Sequence, residues 1–173
     1  KRGTGATTVD GKMIDEVHEN GGEITSFKSF CGGLVAPEYD NNPWNYKFTW
    51  NPRNVVLAGQ STAMYIENGD YKYIPYQNLF SRTEEVEILS EGVFEAYANR
   101  DSLSYREIYN LPNIPTMLRG TLRKKGFCSA WDIFVQLGIT DDSIQISNLD
   151  SMTWRSFLNS FLAYDDHKSV EQK

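Results

Sequence analysis

Residues 116–123 read TMLRGTLR, and the rest of the chain is best read outward from this octapeptide. Successive side chains of a β-strand point to opposite faces. The alternation therefore puts Leu118, Gly120 and Leu122 on one face and Arg119, Thr121 and Arg123 on the other. The apolar face asks for a core against it. The opposite face carries two guanidiniums and a hydroxyl, which suits either solvent or a ligand bearing carboxylates. Residues 23–31 (EITSFKSFC) and 92–98 (GVFEAYA) read as further strands. In AMYIENGDYKYIP (63–75), Asn68-Gly69 between aromatic and β-branched residues predicts a hairpin with a two-residue turn. The expected fold is α/β (α+β-like), a mixed β-sheet with flanking helices.

The helices follow from periodicity and caps. Asp10 is placed to cap a helix over 12–20, with Met13, Ile14 and Val17 on one face and Gly21-Gly22 as its stop. Pro52 suits the first turn of a short helix in NPRNVVLAG (51–59), and residues 104–110 read as another. In CSAWDIFVQLG (128–138), Trp131, Phe134 and Val135 fall at helical spacing, and Ser129 with Asp132 resembles a capping box. In MTWRSFLNSFLA (152–163), Trp154, Phe157, Leu158, Phe161 and Leu162 form a stripe suited to core or inter-domain packing. The expected organisation is a flexible leader or expression remnant at 1–11, one domain over 12–163, and a charged, frayed tail at 164–173.

The chain has 173 residues, 40% hydrophobic and 13% aromatic, which describes one folded domain with a real core. No apolar run approaches the roughly 18 residues that span a bilayer, and no signal-peptide pattern opens the sequence. Two cysteines, Cys31 and Cys128, make no disulfide framework and lack metal-ligand spacing, so a reducing cytoplasm and no metal are expected. A net charge of −6 argues against nucleic acid as a partner. The charge is uneven: residues 98–125 hold six basic side chains against two acidic ones, a balance of +4 that leaves −10 for the other 145 residues. Such a patch suits a small anionic ligand, or equally a solvated basic face. No zincin, phosphate-loop or nucleophile-elbow motif is present. His18 and His167 fall on a polar helix face and in the charged tail, and Cys31 has no base at a telling spacing. No catalytic residue can be named from these patterns.

One stretch remains: SFCGGLVAPEYDNNPWNYKFTWNPR (29–53), with its Gly32-Gly33 pair, three prolines, and Trp44, Tyr46, Phe48 and Trp50 within seven residues. From Cys31 onward it resembles the CGGLPAPE…NNPLxYKFSWSPRG stretch of saccharopine dehydrogenases. AYANRDSLSYREIY (96–109) is similar to that family's GYPNRDS…YxxxY, LRGTLRKKGF (118–127) to its LRGTLRYxGF, and MTWRSFLNSFL to its LTWxxLL segment. The sequence departs from the pattern at Val35, Trp44, Asn45 and Asn54, and at Lys124-Lys125, where an aromatic is common.

The resemblance implies the non-Rossmann domain of a two-part dehydrogenase: a region that binds substrate, with NAD or NADP held mainly by an absent Rossmann domain. The family's reaction moves a hydride between the C–N carbon of saccharopine and the nicotinamide, in lysine metabolism. The implied partners are saccharopine or its lysine- and glutamate-derived products, the chain's own Rossmann domain, and a second copy in a homodimer; nucleic acid and membrane are not expected. The implied substrate residues are Arg100, Thr121, Leu122 and Arg123, with Phe48, Asn51 and Cys31 at the same cleft. Cys31, Gly32 and Gly33 are implied at the cofactor–substrate junction, where glycine lets backbone approach a ligand and aromatics exclude water. Saccharopine carries three carboxylates, which call for charge-assisted, preferably bidentate hydrogen bonds. Two other readings remain: a dehydrogenase for another amino-acid or polyamine-type imine, and a free-standing anion-binding module.

Overall fold

A computed structural model describes residues 5–48, 51–57 and 60–173; Trp50 of the aromatic run lies outside them. Six strands form one mixed sheet: β1 (Phe27–Cys31), β2 (Ala63–Glu67), β3 (Asp70–Ile74), β4 (Glu84–Ile88), β5 (Gly92–Ala98) and β6 (Met117–Lys124). The octapeptide forms the body of β6, the central strand. β1 runs parallel along one edge, from Phe27 opposite Met117 to Cys31 opposite Thr121. The other edge takes β5 antiparallel, from Ala98 opposite Gly120 to Phe94 opposite Lys124, and then β2 through Ile66 opposite Met117. β3 and β4 close the sheet outside β2 and β5.

β6 is largely buried on both faces, so alternation holds only in part. Leu118 and Leu122 are buried as expected, but so is Arg123, at 6% exposure. The hairpin forms as predicted, with Asn68 and Gly69 both at positive φ (52° and 88°). β4 was not read from the sequence because EEVEI is mostly charge. Its glutamates protect an edge strand, while Val86 and Ile88 are half-buried against Phe94 and Leu122.

Among the described residues, five α-helices flank the sheet: α1 (Ala6–Glu19), α2 (Pro52–Val56), α3 (Tyr105–Ile108), α4 (Phe127–Leu137) and α5 (Trp154–Asn159). α1 begins six residues earlier than expected, after Gly5, so residues 6–11 are helix rather than leader. Asp10 is accordingly not its cap. The Asp10 carboxylate faces inward and accepts from Ser29 Oγ at 3.0 Å and from Tyr109 OH at 3.1 Å, pinning the helix to β1 and α3. Of the predicted stripe, Ile14 is buried while Met13 and Val17 are exposed. The expected stop holds: Gly21, at φ 74°, and Gly22 donate back to His18 and Val17.

α4 corrects another expectation. Ser129 and Asp132 do not box its N-terminus; Ser129 Oγ donates to the Gly126 carbonyl instead. The free N–H groups of Gly126 and Cys128 go to the Glu95 carboxylate of β5, at 2.8 and 3.0 Å. That contact joins residues distant in sequence and favours an anion at a helix N-terminus. Trp44 and Tyr46 of the 29–53 excursion then pack edge-on or tilted against Trp131, Phe134 and Phe127 of α4. The α5 stripe is not core: Trp154 is 88% exposed, and the helix packs against the turn at Val170–Gln172. The tail is not frayed but folded back, with Arg155 paired to Glu171 and Lys173 to Asn159. Among the described residues, no helix is long and apolar enough to cross a membrane.

Two consequences are measurable. A Cβ on Gly32 would sit 2.3 Å from the Leu122 carbonyl oxygen, which is backbone and cannot swing aside. Gly32→Ala should therefore cost about 1–3 kcal/mol in urea unfolding; an unchanged midpoint would show that the strand end is free to move. Burial pushes the Tyr109 phenol up to about 12, with Asp10 adding to the rise and Arg119 opposing it. The folded chain holds this proton more tightly than the unfolded chain. Its stabilisation is complete below about pH 10, where a free tyrosine begins to ionise, and is lost as pH climbs toward about 12. Tyr109→Phe should flatten the fall in stability over that interval, and an unaltered slope would reject the assignment.

Candidate functional site: a basic cleft on the β5–β6 face

Register places Ser29 and Cys31 of β1, Arg119, Thr121 and Arg123 of β6, and Glu95 and Tyr97 of β5 on one face of the sheet. Beyond β5 the chain turns through Asn99–Ser102, and this turn is locked to β6. The Arg119 carbonyl accepts from Asn99 N–H at 2.8 Å, and Arg119 N–H donates to the buried Ser102 Oγ at 2.9 Å. Thr121 Oγ1 donates to Asn99 Oδ1 at 2.7 Å. Between the turn, α3 and β6 lies a cleft of about 470 Å³ lined by Asn99, Arg100, Asp101, Tyr105, Arg119 and Thr121 among others.

The three arginines of this region have different environments. Arg100 is exposed at the rim while its carbonyl accepts from Met64 N–H. Arg119 lies over the Tyr105 ring, with Cζ 3.8 Å from its centroid, and reaches Thr7 Oγ1 at 3.4 Å. Arg123 is enclosed by Tyr46, Phe127 and Tyr97, at 4.7, 5.1 and 5.7 Å, and donates to the Leu122 carbonyl at 3.1 Å. Arg123 is not among the described residues lining the cleft. None of the three has a carboxylate at ion-pair distance among the described residues, although Lys124 and Lys125 next to them pair with Asp40 and Glu85. Glu95, which sits opposite Arg123, gives its carboxylate to α4 instead. In a protein of net charge −6, this leaves a local excess of cation.

The other residues singled out in the sequence are distributed around this face. Cys31 is exposed at the end of β1, opposite Thr121. Gly33 follows it and is exposed, whereas Gly32 is pressed against Leu122 and owes its missing side chain to that backbone contact. The Leu122 side chain points to the opposite face and packs with Phe94 and Ala96, so only its main chain is on offer. Phe48 is half exposed and packs edge-on to Tyr46 at 5.7 Å. Asn51 caps α2, its side chain accepting from Asn54 N–H at 3.4 Å. Phe48 and Asn51 do not line the cleft as it stands, whereas Asn54 does.

Sequence reasoning missed Asn99, Asp101 and Tyr105, although all three lie within AYANRDSLSYREIY. Asp101 accepts from Ser104 N–H at 2.9 Å, and such backbone bonds hold its carboxyl below the ordinary range against the opposing effect of burial. Its charge leaves the cleft lining, with Arg100 and Arg119, net positive.

Comparison with known proteins bears on this geometry. The family described as saccharopine dehydrogenase C-terminal domain matches residues 6–168. A Schizosaccharomyces pombe saccharopine dehydrogenase (NADP(+), L-glutamate-forming) is 43% identical over 134 residues, 78% of this chain and 30% of that protein. An Arabidopsis thaliana alpha-aminoadipic semialdehyde synthase is 36% identical over 165 residues, 92% of this chain and 16% of its own. The solved structure of apo saccharopine dehydrogenase (L-Glu forming) from Saccharomyces cerevisiae matches with a TM-score of 0.74 at 36% identity, covering 87% of this chain and 34% of that one. The chain thus spans about a third or less of the length of these relatives. With the family match running over nearly the whole sequence and a solved relative sharing the fold, the chain belongs to the saccharopine dehydrogenase C-terminal domain family.

Proposed function

We propose that the chain is the substrate-binding region of an NADP-linked, L-glutamate-forming saccharopine dehydrogenase. The observation that carries this reading is the cleft whose arginines lack carboxylate partners among the described residues, inside an otherwise acidic protein. Desolvated carboxylates need charge-assisted hydrogen bonds, and saccharopine brings three. A polyamine-type ligand would meet repulsion at the same place, which favours the anionic substrate.

In this reading Arg100, at the rim and with no ion pair among the described residues, grips a carboxylate through its planar fork. Thr121 donates its hydroxyl hydrogen bond to Asn99 Oδ1, so toward the cleft it offers lone pairs suited to the ligand's amine N–H. Arg123 and the ring of Tyr97, Tyr46 and Phe127 hold a fixed positive charge behind the cleft, in a medium of low dielectric where it acts at longer range. A bound nicotinamide would supply the acceptor for the hydride leaving the C–N carbon. Cys31 and Gly33, exposed where β1 ends beside Thr121, fit the edge of such a group, whereas Gly32 is already occupied by Leu122. Most of the cofactor's binding surface belongs in this proposal to a Rossmann domain of the same protein.

Kinetics of the full-length protein test the assignment. A charged hydrogen bond is worth about 1.5–3 kcal/mol, so Arg100→Lys should raise the saccharopine KM about tenfold or more and leave the NADP KM little changed. The 173-residue chain alone should give no NADPH absorbance with saccharopine and NADP. An unaltered saccharopine KM in the variant, or turnover by the chain alone, would sink the respective half of the proposal.

A homodimer is the second part of the proposal. Trp154 and Tyr164 are about nine-tenths exposed, and among the described residues α5 packs mainly against the short turn at Val170–Gln172. Large aromatic surface of this kind marks a packing face. Sedimentation should show the chain self-associating at high concentration, and Trp154→Ser should weaken the association. A clean monomer across the accessible concentrations would remove it.

A further inference from the structure

We propose that Arg119, laid on the Tyr105 ring, is a second carboxylate-recognising cation, so that the cleft selects ligands with two separated carboxylates rather than one. The inference rests on reading the cleft as the substrate site, and it adds a residue that strand alternation leaves equivalent to Arg123 and that the family resemblance does not single out. The structure separates the two: Arg119 lines the cleft with Arg100, Asn99 and Thr121, whereas Arg123 is sealed among aromatic rings.

Three observations carry it. The Arg119 Cζ lies 3.8 Å from the Tyr105 ring centroid, a cation–π contact that restrains the guanidinium, and its Nε is buried with no hydrogen-bond partner among the described residues. Its hydrogen-bond acceptor among the described residues is Thr7 Oγ1, at the long distance of 3.4 Å, and no carboxylate there reaches it. Its main chain is held on both sides, by Asn99 N–H and Ser102 Oγ, so the side chain starts from a rigid root. Asp101, the acidic residue of the lining, accepts from Ser104 N–H; it offsets part of the charge of Arg100 and Arg119 but forms no ion pair with either among the described residues. A ligand with one carboxylate gives an ion-pair partner to one guanidinium and leaves the other without one; a dicarboxylate serves both. Tyr105 is then a positioning residue, acting through the arginine it supports.

The kinetic test compares variants in the full-length protein. Arg119→Lys keeps the charge but loses the planar fork and the stack, and should raise the saccharopine KM about tenfold with the NADP KM unmoved. Tyr105→Leu should raise it about threefold through the lost platform, and Tyr105→Phe, which keeps the ring, should retain most of the affinity that Tyr105→Leu loses. If Arg100→Lys raises the saccharopine KM and Arg119→Lys does not, Arg119 is structural only and the substrate reading stands. If neither variant moves it, both readings fall together. A readout independent of activity and of variant folding uses the wild-type chain: glutarate, a dicarboxylate, should shift the Arg119 side-chain NMR resonances, and butyrate should shift them much less. Arg119 resonances unmoved by glutarate, or moved equally by both acids, would overturn the inference.

Discussion

The structure depends on the way the edge of β6 is filled. Buried backbone N–H and C=O groups must be paired, since an orphaned one costs as much as a lost hydrogen bond. β5 pairs with this edge as far as Gly120, and β2 meets it at Met117. Between them the Arg119 peptide would be left open, and the turn after β5 closes it through Asn99 N–H and Ser102 Oγ. The same turn carries Arg100 outward to the cleft rim. The loop that completes the sheet is therefore also the loop that presents the cation, and its conformation is set by the sheet's hydrogen bonds rather than by the ligand.

Charge is distributed with the same economy. Several cations find acids: Lys124 with Asp40, Lys125 with Glu85, Arg155 with Glu171. Glu95 is placed to neutralise Arg123 but serves the N-terminus of α4, where the N–H groups of Gly126 and Cys128 have no intrahelical acceptor. Arg123 is left to the faces of three aromatic rings, a weaker compensation that tolerates burial without cancelling the charge. The basic stretch at 98–125 is thus resolved into paired lysines outside and unpaired arginines around the cleft.

Much of this was legible in local pattern. The Asn68-Gly69 turn, the α1 stop at Gly21, the Asn51-Pro52 start of α2 and the span of β5 follow from backbone preferences of a few adjacent residues, which travel with the sequence. β4 was not legible, because its glutamates mask a two-residue apolar alternation. The start of α1 was misread for a related reason: a small, polar, Gly-containing stretch looks like a leader until Asp10 finds Ser29 and Tyr109. The aromatics of the 29–53 stretch read as walls of a reacting centre, yet Trp44 and Tyr46 mainly fasten that excursion to α4.

By itself the sequence determined which residues could bind an anion: TMLRGTLR and ANRDS supply the guanidiniums and hydroxyls, and alternation puts Arg119, Thr121 and Arg123 on one face. It could not rank them. Periodicity treats Arg119 and Arg123 as equivalent, since they are two residues apart on the same side of one strand. Only tertiary packing distinguished them, bringing Tyr105 from α3 beneath Arg119 and closing Tyr46, Tyr97 and Phe127 around Arg123. The reason is physical: a strand's own geometry decides the direction of a side chain, but its solvent exposure and its partners depend on elements that reach it from distant parts of the chain.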